Sequence, residues 1–294
     1  MFVLSGTSTY AKLEGLVAPG ATEDGSDGTV RAASASLDSV RIVGDFRLTT
    51  PNVTLERQPN GRIAFKLVEG LNHSEIVPRD DPAHPAMDII LRCLAVKDGA
   101  DYARVEDQFN KENADFYERQ KAQRPRGIHR YQQFIVRVLD DMEVEVDDYQ
   151  LSFHVVDDAA TVSTWKDGEP GAELKRYQQY TTRLRDTVIV HVQPHTVRPS
   201  YRTFFIDLDE KDALEAELRQ LPQKPFIAMN IDAISPTPNV SFDTDDLHYV
   251  RLDQPIKEAG NGRTAEFFWP NTSTLVDIYL RPRMGREIFD FPES

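Results

Sequence analysis

The sequence contains a single cysteine, Cys93, among 294 residues, so no intrachain disulfide can form. The lack of disulfides favours a reducing compartment. Cys93 sits in the apolar helical pattern Met87-Asp88-Ile89-Ile90-Leu91-Arg92-Cys93-Leu94, where a small buried hydrophobe is expected rather than a reactive thiol. No apolar run approaches the roughly 18 residues that a helix needs to span a bilayer. The start shows no basic region and no cleavage signal, and a cytoplasmic address is the expectation. Cations are scarce: 34 Lys and Arg stand against 48 Asp and Glu, a net charge of −14. That charge opposes non-specific binding to nucleic acid or to an anionic membrane surface. The chain also lacks a Gly-rich phosphate loop, an EF-hand loop, an internal repeat and a low-complexity tract. No metal and no organic cofactor is expected.

The residues present suit a soluble globular protein, with 40% hydrophobic and 28% charged, enough for one large domain or two ordinary ones. Met1-Phe2-Val3-Leu4 reads as a core strand, and a chain opening on a core strand is expected to begin inside a domain. Tyr10 to Val17 reads as a short helix or lid-like segment, and Pro19 to Ser26 as a polar loop. Thr29 to Leu37 reads as a short helix and Val40 to Val43 as a strand. Arg47 to Leu55 is expected to be mostly loop with a strand end, and Pro59-Asn60-Gly61 a turn. Ile63 to Val68 is a further strand, delivering the chain to Gly70 and His73. Met87, Ile90, Leu91 and Leu94 recur at the spacing of one helical face. A very charged helix follows from Asp101 to Gln123, ended by Pro125 and Gly127.

Two short motifs stand out in this region. One is Gly25-Ser26-Asp27-Gly28-Thr29-Val30, an Asp in a Gly-flanked turn. The other is Gly70-Leu71-Asn72-His73-Ser74-Glu75-Ile76-Val77, a His in a polar loop after an apolar strand. In this order the pair resembles the C-terminal part of the α/β-hydrolase fold, in the lipase/esterase branch that includes the lecithin:cholesterol acyltransferase-like enzymes. That branch carries a Gly-Asp-Gly-Thr-Val turn for the acid and a His followed by an aliphatic three positions on for the base. Here Ser26 replaces the first Gly. The resemblance covers roughly the first 100 residues and implies Asp27 as orienting acid and His73 as base of a Ser-Asp-His triad. The residue types suit that chemistry. A hydroxyl nucleophile is weak at neutral pH and needs a base. Imidazole titrates near neutrality, and a carboxylate fixes its tautomer and stabilises the imidazolium. Asp24 is the alternative acid, because Asp24-Gly25 repeats the pattern three residues earlier.

A nucleophile elbow, Gly-x-Ser-x-Gly, occurs nowhere among the 15 glycines. The nearest half-match is Gly6-Thr7-Ser8-Thr9-Tyr10, where Tyr10 replaces the second Gly. Only 18 residues separate Ser8 from Asp27, too few for the strands and helices that normally lie between elbow and acid. Ser5, Ser26 and Ser34 are weaker candidates, and Ser74 reads as structural. The nucleophile is therefore expected outside this chain, on an N-terminal hydrolase segment that would be its partner.

Beyond Pro125-Arg126-Gly127 strands dominate. They are expected at Tyr131 to Leu139, Gln150 to Val156, Asp186 to Val192, Tyr201 to Leu208, Phe226 to Ile234, Thr264 to Trp269 and Thr274 to Leu280, with one helix at Glu210 to Leu221. Seven short strands with turns between them predict a β-sandwich. The expected fold class is thus α/β, the C-terminal part of an α/β-hydrolase over residues 1–127, followed by an all-β sandwich over 128–294. His191 and His195 are roughly 13 Å apart on an extended strand, too far to share a metal. The Asp-rich loops read as solvated charge, and Trp165, Trp269 and Phe267-Phe268 as core or core-edge aromatics. The expected function is carboxylic-ester hydrolysis, lipase- or esterase-like, on an ester or lipid substrate. The alternative is a non-catalytic β-sandwich binding module with a vestigial hydrolase piece.

Overall fold

The computed structural model describes residues 1–9, 23–48, 51–57, 63–79, 81–123, 127–157, 165–166, 169–170, 176–195, 197–233, 240–242 and 250–284. The Tyr10 to Val17 segment, the Pro59-Asn60-Gly61 turn and the acidic loop 243–246 lie outside the described residues, as do the side chains of Trp165 and His191. The elements from the start are β1 (Phe2–Gly6), α1 (Ala32–Ala35), β2 (Ser39–Asp45), β3 (Asn52–Arg57), β4 (Ala64–Val68), α2 (Pro85–Leu94) and α3 (Gly99–Lys121). Then come β5 (Tyr131–Leu139), β6 (Tyr149–Val156), β7 (Trp165–Lys166), β8 (Glu169–Pro170), α4 (Gln178–Arg183), β9 (Ile189–Pro194), β10 (Tyr201–Asp207) and α5 (Leu208–Leu218). The last are β11 (Phe226–Ala233), β12 (Val240–Phe242), β13 (Val250–Arg251), β14 (Ile256–Glu258), β15 (Thr264–Ala265), β16 (Ser273–Tyr279) and β17 (Pro282–Met284). The fold is mixed α/β with strands prevailing. Among the described residues no helix is long and apolar enough to cross a membrane.

Two compact units emerge, one of Met1–Ser39, Pro59–Gln133 and Trp269–Ser273, the other of Val40–Gln58, Phe134–Phe268 and Thr274–Ser294. In the first, β1 and β4 pair in parallel, from Phe2 opposite Ala64 to Gly6 opposite Val68. Every residue of β4 is buried, including Lys66, as parallel strands covered on both faces require. The charged sequence of α3 still carries one inward stripe, Phe109, Asn113, Phe116, Tyr117 and Gln120, and this stripe explains its docking on β4. Asn113 does more than pack. Its Oδ1 accepts from the Leu67 amide at 3.0 Å and its Nδ2 donates to Phe65 O at 2.8 Å, so one side chain pairs a donor and an acceptor on the β4 edge that no strand covers among the described residues. Lys66 is neutralised by Glu112, which also takes Arg92 of α2 at 2.8 Å.

The helix α2 differs from the sequence reading. The predicted core positions Leu91 and Leu94 are exposed, whereas Ala86 and Ile89 are buried. The helix begins with Pro85 in its first turn and His84 as cap, and it turns its small Ala86 inward. Cys93 is half-buried, and burial pushes its thiol up against the opposing pull of Arg92, as an inert thiol requires.

The second unit holds a sheet of order β15-β14-β3-β2-β16-β5-β10-β9 and a separate one of order β13-β11-β6. Arg47 to Leu55, read as mostly loop, contains β3. It pairs antiparallel with β2 and parallel with β14, about two hundred residues later. The strand expected from Asp186 starts only at Ile189, because Leu184–Val188 form a π-helical turn. The core holds a ring cluster in which Phe134 stacks on Phe204 at 5.3 Å and Phe153 meets Phe204 edge-on at 5.3 Å. Phe267 and Phe268 join it.

Candidate active site

The site forms where the carboxyl ends of the parallel pair β1 and β4 meet, the place where open α/β sheets bind their ligands. After β1, the amides of Thr7 and Ser8 both donate to Leu71 O, at 2.9 and 3.0 Å. Thr7 Oγ1 accepts from the Gly70 amide at 3.2 Å. The loop leaving β4 is thereby stitched to the loop leaving β1. Gly6 makes this approach possible: a Cβ there would lie 2.2 Å from Leu71 O and 3.2 Å from Asp27 Cβ. Only a residue without a side chain fits.

Asp27 lies in a turn closed by Gly28 at φ +91°. Its Oδ1 accepts from the amides of Thr29 at 3.0 Å and Val30 at 2.8 Å. Its backbone carbonyl accepts from the His73 amide at 2.8 Å, so the two loops are locked together before the side chains meet. The remaining oxygen, Oδ2, is 2.9 Å from His73 Nδ1. Asp27 is buried, with 6% of its side chain exposed, while half of the His73 side chain faces solvent.

The His73 loop is rigid for reasons written in its sequence. Asn72 Oδ1 accepts from the amides of Ser74 at 3.0 Å and Glu75 at 3.1 Å, an Asx turn. Glu75 Oε2 accepts in return from the Asn72 amide at 3.0 Å. His84 closes the far end. Its Nδ1 accepts from the Ala86 amide at 3.1 Å, capping α2, and its Nε2–H therefore donates to Glu75 O at 2.8 Å. Thus the structure brings Asp27 and His73 together. A carboxylate at this position accepts a proton-bearing Nδ1, and a neutral imidazole in that tautomer offers Nε2 as its acceptor nitrogen.

The alternative acid, Asp24, serves elsewhere. Its Oδ2 accepts from the His129 amide and the Tyr131 hydroxyl, both at 3.1 Å. Three of the candidate serines have other bonds: Ser5 donates to Gly6 O, Ser26 Oγ accepts from the Gly28 amide, and Ser74 donates to Asn72 Oδ1. Among the described residues no hydroxyl hydrogen-bonds His73 Nε2. His195 is a turn residue, its Nδ1 accepting from the amides of Val197 and Arg198. Asp140 likewise caps its own loop through Met142 and Val144. The roles of Gly6, Thr7, Leu71 and His84 escaped the sequence reading. Gly6 directly after an apolar strand, and Pro85 after His84, are the signals that point to them.

The fold has counterparts among solved structures. Phospholipase PlaB from Legionella pneumophila, in complex with thio-NAD, superposes on all of this chain and on 60% of its own, with TM-score 0.68 and 18% identity. A second structure of that phospholipase gives a TM-score of 0.67 at 19% identity, over 59% of its length. The chain thus spans about 60% of the length of these structures. At such identity the likeness is one of fold. No family model and no curated protein sequence matches.

Proposed function

We propose that this chain carries the acid and the base of a serine carboxylic-ester hydrolase of lipase type, with a lipid ester as substrate. The observation that carries the reading is the 2.9 Å contact between buried Asp27 and the Nδ1 of a half-exposed His73. Asp27 orients the imidazole and stabilises the imidazolium, and His73 Nε2 takes the proton of a serine hydroxyl as it attacks the ester carbonyl. The acyl-enzyme then forms as the alcohol leaves with that proton. Water, activated by the same nitrogen, releases the acid. The serine is proposed to lie outside these 294 residues, and the sheets of the second unit to form a β-sandwich appended to the hydrolase part. The fold shared with a phospholipase supports a lipid substrate.

The test is hydrolysis of p-nitrophenyl esters of short and medium chain by this chain and by a form extended N-terminally. The account expects turnover by the extended form alone. It also expects Asp27→Asn and His73→Ala to lower kcat/KM by about 10³- to 10⁴-fold. Turnover by the 294-residue chain itself that is lost in Ser8→Ala would overturn the placement of the nucleophile. Inactivity of both forms on every ester would favour a binding module instead.

A further inference from the structure

Away from the Asp27–His73 pair, the first unit contains a pocket of about 520 Å³, within the range of small-molecule sites. Neither Asp27 nor His73 lines it. Three aromatic rings do: Phe65 of β4, Tyr117 of α3 and Trp269. Three carboxylates also line it, Asp38, Glu106 and Glu118, against the single cation Arg130 among its described lining residues. The walls are built. The Asn113 amide is spent on β4. The Tyr117 hydroxyl donates to Asn271 Oδ1 at 2.7 Å, and the Trp269 amide donates to Gln132 Oε1 at 2.8 Å. The first bond holds the Tyr117 ring and the second anchors the backbone of Trp269, so the two aromatic residues reach the pocket from separate segments of the chain.

We propose that this pocket binds an organic cation of the quaternary-ammonium type, seated on Trp269 and Tyr117 and balanced by Asp38, Glu106 and Glu118. Aromatic faces attract a weakly hydrated cation, and the surplus of carboxylates disfavours an anion. A bare metal ion fits less well, because the three carboxylates do not converge as a ligand set among the described residues. A neutral sugar would draw nothing from the excess of carboxylates over cations in the lining. Burial pushes the Glu106 carboxyl up, and Asp107 and Asp38 push it further. A bound cation relieves that repulsion, and a neutral ligand does not.

The probe is choline chloride, titrated against the full chain carrying Trp165→Phe, so that emission reports Trp269 alone, since the chain has two tryptophans. Tetramethylammonium is a second ligand, and sodium chloride at equal ionic strength and glucose are controls. The expected result is a saturable emission change with both ammonium ions, weakened about tenfold by Glu106→Gln. Vesicles of phosphatidylcholine that reproduce the change would assign the cation to a lipid headgroup. A response to free choline alone would assign it to a free small molecule. No saturable change with choline, an equal change with sodium or glucose, or indifference to Glu106→Gln would overturn the proposal. The readout is binding, so its failure leaves the ester-hydrolase reading untouched.

Discussion

At the scale of single residues, the molecule spends polar groups carefully, and His154 is where the spending falls short. It lies on β6 opposite Ala228, and its Nε2 is buried without a hydrogen-bond partner among the described residues. Burial lowers its pKa from the usual 6.5, and Arg185 lowers it further. The unfolded chain therefore binds the proton more readily than the folded one. Stability is complete above about pH 6.5 and falls as pH drops below it. Glu112 acts in a lower window. Burial opposes its ionisation, but Arg92 and Lys66 outweigh burial and hold its carboxyl below 4.5, so its contribution is lost only under stronger acid. Melting temperatures measured between those two windows are expected to drop for the wild type and to hold nearly level for His154→Phe. At this scale the sequence was most readable. The Asp27 turn is legible because Asp-Gly turn chemistry is local, its Oδ1 accepting from amides two and three residues on. That Asp24 serves Tyr131 and His129 is not, because its partners lie a hundred residues away.

At the scale of elements, backbone accounting decides what holds the parallel pair. On the edge of β4 that no strand covers among the described residues, the amide of Asn113 pairs a donor and an acceptor. Asn113→Ala is expected to leave one buried donor and one buried acceptor unpaired, and to lower unfolding free energy by about 1–3 kcal/mol in urea titrations. An exposed helix substitution such as Lys111→Ala serves as the reference and should change stability little. Element positions are mostly visible in the sequence: β5 runs from Tyr131 to Leu139, the range expected for it. Faces and partners are less so. On α2 the apolar spacing selected Leu91 and Leu94, yet packing turned Ala86 and Ile89 inward. The polar run of β3 hides its extent: the sequence suggests only a strand end there, whereas β3 pairs with β2 on one side and with β14, about two hundred residues later, on the other.

At the scale of the whole molecule, the charge of −14 bears on how a proposed lipid hydrolase would meet its substrate. Surface repulsion predicts weaker adsorption to anionic phosphatidylglycerol vesicles than to zwitterionic phosphatidylcholine at low salt. Added salt should narrow the difference as the charges are screened. Cosedimentation at two ionic strengths measures both effects. A preference for anionic vesicles would show that a local basic surface overrides the net charge. The central claim is narrower: Asp27 holds His73 as the Nδ1–H tautomer, with Nε2 free to take a proton. Long-range ¹H–¹⁵N correlation spectra of histidine-labelled protein at alkaline pH test it most directly, with His73 assigned through His73→Gln. The account predicts a protonated Nδ1 and an unprotonated Nε2 at His73, with that preference lost in Asp27→Ala. A proton on Nε2 in the native protein, or a tautomer indifferent to Asp27→Ala, would contradict it.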